Sequence, residues 1–172
     1  MLDGQWMGMF YIYEDPSYMS RGGPDRQVQA DFSLKQAGFI AVDSIAVYQS
    51  YRSESPYYQT VQIQDMYTSP NGEQHEVISL GVNKVQQGGL WCVVQKPDET
   101  VVHRGQLLDR QTIIWSRHEQ EPQRIEWFRE TVTDSVYSIV GWGFYGGDDP
   151  QVGPPLWFTA QYRKQEDQTG NE

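Results

Sequence analysis

The stretch Gly4-Gln5-Trp6-Met7-Gly8-Met9-Phe10-Tyr11-Ile12-Tyr13 opens the chain with a period of two: Trp6, Gly8, Phe10 and Ile12 share one parity. Successive side chains of a strand point to opposite faces, so this alternation describes a strand and not a helix. The pattern recurs outward along the chain. Val28, Ala30, Phe32 and Leu34 alternate with Gln27, Gln29, Asp31 and Ser33. Ile40, Val42, Ala46 and Tyr48 share a parity within 38–51, Val61 and Ile63 within 58–67, and Ile78 and Leu80 within 74–82. Further strands are read at 89–95, 100–107, 111–118, 124–132, 135–145 and 156–163, most of them rich in β-branched or aromatic residues.

Turn chemistry separates these runs. Ser69-Pro70-Asn71-Gly72 is the strongest signal, because Asn-Gly accepts the positive φ angles of a tight hairpin. Gln36-Ala37-Gly38, Gln87-Gly88-Gly89, Lys96-Pro97-Asp98 and Glu121-Pro122-Gln123 are weaker. No run of ten or more residues carries a capped amphipathic stripe, and 104–111 has room for one helical turn at most. Many short strands joined as neighbours imply an antiparallel up-and-down sheet, and closing it removes two long edges. The expected fold is therefore all-β, a single β-barrel of about ten strands over 1–163, with a polar tail at 164–172. A two-sheet sandwich is the other arrangement. A barrel of this size can enclose one small molecule.

Composition narrows function by exclusion. Among 172 residues, 23 are Asp or Glu and 13 Lys or Arg, a net charge of −10 that disfavours a nucleic-acid binder. The aromatic share of 13% argues for a packed chain. Cys92 stands alone, which excludes an internal disulfide framework and Cys-rich metal sites and describes a buried strand thiol. No apolar run approaches the ~20 residues of a membrane-spanning helix, and the start lacks a signal-peptide pattern, so a cytoplasmic location is expected.

Gly4-Gln5-Trp6 at the head of the first strand resembles the Gly-x-Trp signature of the calycin superfamily, the lipocalins and their relatives. In that family the Trp packs across the closed end of the barrel beneath a basic residue near the end of the last strand. The resemblance implies structural barrel closure by Gly4, Trp6 and Arg163, the last within Leu156-Trp157-Phe158-Thr159-Ala160-Gln161-Tyr162-Arg163. The strand count is more similar to the fatty-acid-binding and nitrobindin-like barrels than to secreted lipocalins. It implies a small hydrophobic or amphipathic ligand, with a tetrapyrrole, bilin or haem, as the cofactor it allows. A haem axial His would lie near the C-terminus, and this chain has no His after His118. The S-type bilin lyases share the opening motif and layout.

Trp115-Ser116-Arg117 and Trp127-Phe128-Arg129 carry the most chemistry. A hairpin turning at Glu121-Pro122-Gln123 would set Trp115 opposite Arg129 and Arg117 opposite Trp127, two Trp–Arg pairs on one face. Turned inward, the arginines would hold a ligand carboxylate and the indoles its apolar body. Turned outward, the pairs form a ladder on the wall, and Phe128 and Val132 face in with Arg124, Glu126 and Glu130. Trp142 and Tyr145, in the run Val140-Gly141-Trp142-Gly143-Phe144-Tyr145, complete the candidate ligand-binding set. Its alternating glycines mark a curved strand or a close approach to the backbone. Asp43 and Asp65 are expected to face inward, with the arginines as partners. Tyr48, Tyr51, Tyr57 and Tyr58 suit a pocket mouth or an interface, and the loop 14–26 suits a lid. His75, His103 and His118 lack metal spacing, and no nucleophile elbow, phosphate loop or dinucleotide fingerprint is present. The reading is a binder of a small, largely apolar ligand with an anionic group, more readily than an enzyme, with no metal. The alternatives are a bilin-lyase-like chaperone, and a filled barrel that docks a protein partner through exposed aromatics.

Overall fold

The computed structural model describes residues 2–16, 38–120, 123–145 and 155–166. Among these, ten strands form: β1 (Gly4–Glu14), β2 (Ile40–Ser55), β3 (Tyr58–Thr68), β4 (Gln74–Gln86), β5 (Gly89–Gln95), β6 (Thr100–Leu107), β7 (Thr112–Gln120), β8 (Gln123–Val132), β9 (Val136–Phe144) and β10 (Leu156–Lys164). Each pairs antiparallel with its sequence neighbour, and β1 closes on β10, giving a single up-and-down barrel. The segment 104–111 holds no helical turn: β6 runs to Leu107 and β7 begins at Thr112. The strand read at 27–34 and the lid read at 14–26 fall largely outside the described residues. No described helix is long and apolar enough to cross a membrane.

The turn signals were ordered differently by the backbone. The two-residue turn with positive φ at both positions is Gln87-Gly88, at 52° and 74°, between the paired Gln86 and Gly89. In the Asn71-Gly72 turn only Gly72 takes positive φ, 86°, and the Gly72 N–H donates to the Ser69 carbonyl.

Alternation located the strands but not always their inner face. In β1, Trp6, Gly8, Phe10 and Ile12 point in, and Gly8 exists because a Cβ there would sit 2.0 Å from the Gln161 carbonyl oxygen. In β2 the inward set is Ile45, Val47, Gln49 and Tyr51, while Ala46 and Tyr48 stand outside opposite Met9 and Met7. In β4, Ile78 and Leu80 are exposed and Ser79 is buried. The interior of this barrel is partly polar, so in β4 the more apolar parity is not the inner one.

The core at one end collects Leu2, Trp6, Tyr51, Tyr137 and Tyr162. Trp6 is 1% exposed and donates its Nε1–H to the Leu2 carbonyl at 2.7 Å, with Tyr137 edge-on at 6.0 Å. The cation over Trp6 is Lys164, not Arg163. Trp6 is the register partner of Lys164, whose Nζ lies 5.7 Å from the ring centroid, whereas Arg163 pairs with Met7 on the outer face. Pairing thus extends one residue into the segment assigned to the tail.

Candidate functional site

The β7–β8 hairpin decides which candidate residues meet. Gln120 pairs with Gln123, so two residues separate the strands where three were expected. A one-residue difference moves every side chain of the second strand to the other face. The expected Trp115–Arg129 and Arg117–Trp127 pairs are therefore not formed: Trp115 faces Phe128, Ser116 faces Trp127, Arg117 faces Glu126 and Ile114 faces Arg129. Trp115 and Arg117 are inside, 2% and 5% exposed, and Trp127 and Arg129 are on the outer wall.

Trp142 is also outside. It links Trp127 on one side to Trp157 on the other, and Trp157 pairs with Tyr13. These register partners make an aromatic row across β8, β9, β10 and β1, with Phe39 edge-on to Trp157 at 5.4 Å. Parity alone could not show this row, because it depends on three registers. An interior ligand has no access to Trp127, Arg129 or Trp142.

Arg117 already has its anions. Its Nε and Nη2 donate to the two oxygens of Glu119 at 2.9 and 2.8 Å, and Nη2 also reaches Glu99 Oε2 at 3.1 Å. Arg124 pairs with the same Glu99 oxygen. Beside them, His103 Nε2 lies 2.6 Å from Glu126 Oε2, and the Tyr145 hydroxyl donates to Glu126 Oε1 at 2.6 Å. Burial opposes ionisation of Glu126, but the His103 hydrogen bond and charge, the Tyr145 hydroxyl and Arg117 outweigh it and hold the carboxyl below its ordinary value. Burial and the Glu126 charge push the Tyr145 hydroxyl up. Glu126 pairs with Gly143, and a Cβ on Gly143 would meet the Tyr145 ring at 2.7 Å. The glycine leaves the space through which Tyr145 folds back to the carboxylate. This cluster is internally matched in charge. His103 is committed to Glu126 and packs edge-on to Phe128 at 5.1 Å, so its Nε2 is not presented as an axial ligand to haem.

The paired carboxylates separate. Asp65 faces in, and burial raises its carboxyl against the weaker pull of Lys96, not of an arginine. Asp43 is exposed at the rim and accepts the Ser44 N–H. Cys92 faces in opposite His103, its thiol pushed up to about 12 by burial and then by Glu130 and Glu126. No described group of three or more His, Cys, Asp or Glu is placed to hold a metal.

The site that sequence reasoning missed is built around Glu130, at the barrel end where β1 begins. A cleft of about 460 Å³ lies there among the β2–β3, β4–β5 and β6–β7 turns. Its walls include Leu90, Ile113, Trp115 and Val132, with Glu130 and Asn83 among them and Tyr57, Tyr58, Lys84 and Arg110 toward the turns. Glu130 is buried. Its Oε2 accepts the Trp115 Nε1–H at 3.0 Å and the Tyr137 hydroxyl at 3.1 Å. Burial pushes its carboxyl up to about 7, against the lowering effect of these two bonds. Lys84 and Arg110 make no ion pair with another described residue. The signal in the sequence was the charged parity of strand 124–132, which faces in under the alternative that puts the Trp–Arg face of that strand outside.

The fold and cleft define the chain as a ten-stranded antiparallel barrel with room for a small ligand. No protein-family model and no curated protein matches it. Among solved structures it is similar to a redesigned β-barrel, with 12% identity and a TM-score of 0.40 over 96% of this chain and 92% of that one.

Proposed function

We propose that the protein binds a small, largely apolar molecule with an anionic group in the cleft at the Trp115 end of the barrel. The observation that carries this is the cleft itself: apolar walls of Leu90, Ile113, Trp115 and Val132 lead out to Lys84 and Arg110, whose charges no described carboxylate neutralises. An apolar body gains by leaving water against the walls, and an acid at the rim gains from the two cations. Of the two arginines expected from sequence to hold the acid, Arg117 is already held by Glu119 and Glu99 and Arg129 stands on the outer wall. Open-chain tetrapyrroles fall within this ligand class, and visible absorbance of the purified protein marks one.

The test uses two fluorescent probes of nearly one shape. N-phenyl-1-naphthylamine is neutral, and 1-anilinonaphthalene-8-sulfonate adds an anion. Both should bind with blue-shifted emission, the sulfonate more tightly. Lys84→Gln with Arg110→Gln should weaken the sulfonate roughly tenfold and leave the neutral probe nearly unchanged. Binding of neither probe, or a sulfonate indifferent to both substitutions, overturns the reading.

A further inference from the structure

The walls of the cleft hold two acceptors that the fold leaves without donors. The first is Asn83 Oδ1, buried with no hydrogen-bond partner. Its orientation is dictated from a distance. Asp3 Oδ1 accepts the Ser53 N–H and hydroxyl, each at 2.8 Å, and the Gln59 amide at 3.1 Å. An ionised carboxylate only accepts, so Gln59 must turn its NH2 toward Asp3 and its oxygen away. That oxygen then accepts the Asn83 Nδ2 at 3.1 Å. The Asn83 oxygen is left off the chain of bonds, and an amide flip would set two oxygens against each other. The second acceptor is Glu130 Oε1. Both donors to this carboxylate, Trp115 and Tyr137, end on Oε2, and no described cation pairs with it.

Two unpartnered acceptors of this kind specify what can sit against them. A hydrocarbon would leave both dry, and an acid would repel the carboxylate. Groups carrying N–H hydrogens satisfy such acceptors, and low-polarity walls strengthen the pairing of a charged nitrogen with the carboxylate.

We propose that Glu130 and Asn83 form a donor-reading subsite for an ammonium or ring N–H group at the inner end of the ligand. The inference rests on the cleft being the ligand site and adds the chemistry of the buried end. Trp115 acts as a positioning residue: its indole fixes one carboxylate oxygen and so leaves the other for the ligand.

The experiment titrates octylamine and octan-1-ol into the full chain at pH 8 by calorimetry. Octylamine should bind about tenfold more tightly than octan-1-ol, the scale of a charge-assisted contact over a neutral one. Glu130→Gln keeps an oxygen for Trp115 and Tyr137 but offers the cleft an NH2, so it should abolish the preference. Asn83→Ala, which leaves Glu130 untouched, should reduce it several-fold. Arg129→Gln, on the outer wall, should not weaken octylamine. An amine bound no better than the alcohol, or a preference that survives Glu130→Gln, overturns the subsite. Octylamine binding through Glu130 beside failure of both naphthylamine probes would sustain the subsite and remove the acid-binding reading. Probe binding without an amine preference would do the reverse.

Discussion

Trp115 donates its indole N–H to Glu130 across the inside of the barrel, Nε1 to Oε2 at 3.0 Å, and this bond secures a carboxyl that the interior otherwise disfavours. Burial is the dominant effect, and it moves the group from an ordinary 4.5 up to about 7. The tyrosines around it, Tyr51, Tyr137 and Tyr162, and the Cys92 thiol are all pushed up, so they stay neutral across the same range. The folded state therefore holds one more proton than the unfolded chain between these two values. The stabilising contribution is complete below 4.5 and is lost as pH rises through about 7. The full loss is about 3 kcal/mol. Glu130→Gln removes the titration, so its stability relative to wild type should improve by about that amount from pH 4.5 to pH 8. Denaturant unfolding at the two pH values measures it, and a pH-independent difference would show that Glu130 titrates normally.

Arg117 and Arg129 belong to one sequence motif and to opposite faces of the wall. Arg117 is buried with Glu119 and Glu99, which keep a quarter to a third of their side chains in contact with solvent. Removing the guanidinium strands neither carboxylate completely. Arg117→Gln should cost about 2–3 kcal/mol, the scale of lost hydrogen bonds to charged groups. It should leave naphthylamine binding in the cleft nearly unchanged. Arg129→Gln should cost less than about 1 kcal/mol, as wall substitutions generally do. Loss of probe affinity in Arg117→Gln without loss of stability would restore Arg117 as the ligand anchor.

Strand positions were legible because alternation is local: the runs read at 58–67, 89–95, 100–107 and 124–132 lie within a residue of β3, β5, β6 and β8. What faces the interior was less legible, since it depends on partners far along the chain. Ser79 and Gln49 line the inside while Ile78 and Leu80 face water, so hydrophobicity misassigns β4. The expected Trp–Arg pairing failed on a single residue of loop length between Gln120 and Gln123. With that register corrected, the same reading puts Arg124, Glu126 and Glu130 inside. The order of the Asp3–Gln59–Asn83 bonds spans 80 residues and leaves no local trace.

The glycines of β9 do two different jobs, and substitution separates them. A Cβ on Gly141 would lie 2.4 Å from both the Phe128 Cβ and the Trp127 carbonyl oxygen, which are parts of the paired strand and cannot swing away. Gly141→Ala should therefore cost about 1–3 kcal/mol or more through backbone displacement. At Gly143 the obstacle is the far end of the Tyr145 side chain, which can rotate. Gly143→Ala should cost less, while expelling the Tyr145 hydroxyl from Glu126. Thermal melts of the two variants give the comparison; equal losses would mean that Tyr145 is as fixed as the strand.

Trp6 supports the start of the barrel by three separable contacts: packing, the bond from Nε1 to the Leu2 carbonyl, and the Lys164 ammonium over its ring. At 1% exposure the packing dominates, and Trp6→Ala should cost about 3–5 kcal/mol, the range for large aromatic residues removed from cores. Trp6→Phe keeps most of the burial but leaves the Leu2 carbonyl without its donor, so it should cost about 1–3 kcal/mol. Lys164 is exposed, and Lys164→Met should cost no more than about 1 kcal/mol of cation–π attraction. Arg163→Gln should change stability least, because Arg163 stands on the outer face opposite Met7. Urea unfolding of the four variants orders these effects. If Arg163→Gln cost more than Lys164→Met, the basic partner of Trp6 would be Arg163 after all, and the register of β1 against β10 would have to shift by one residue.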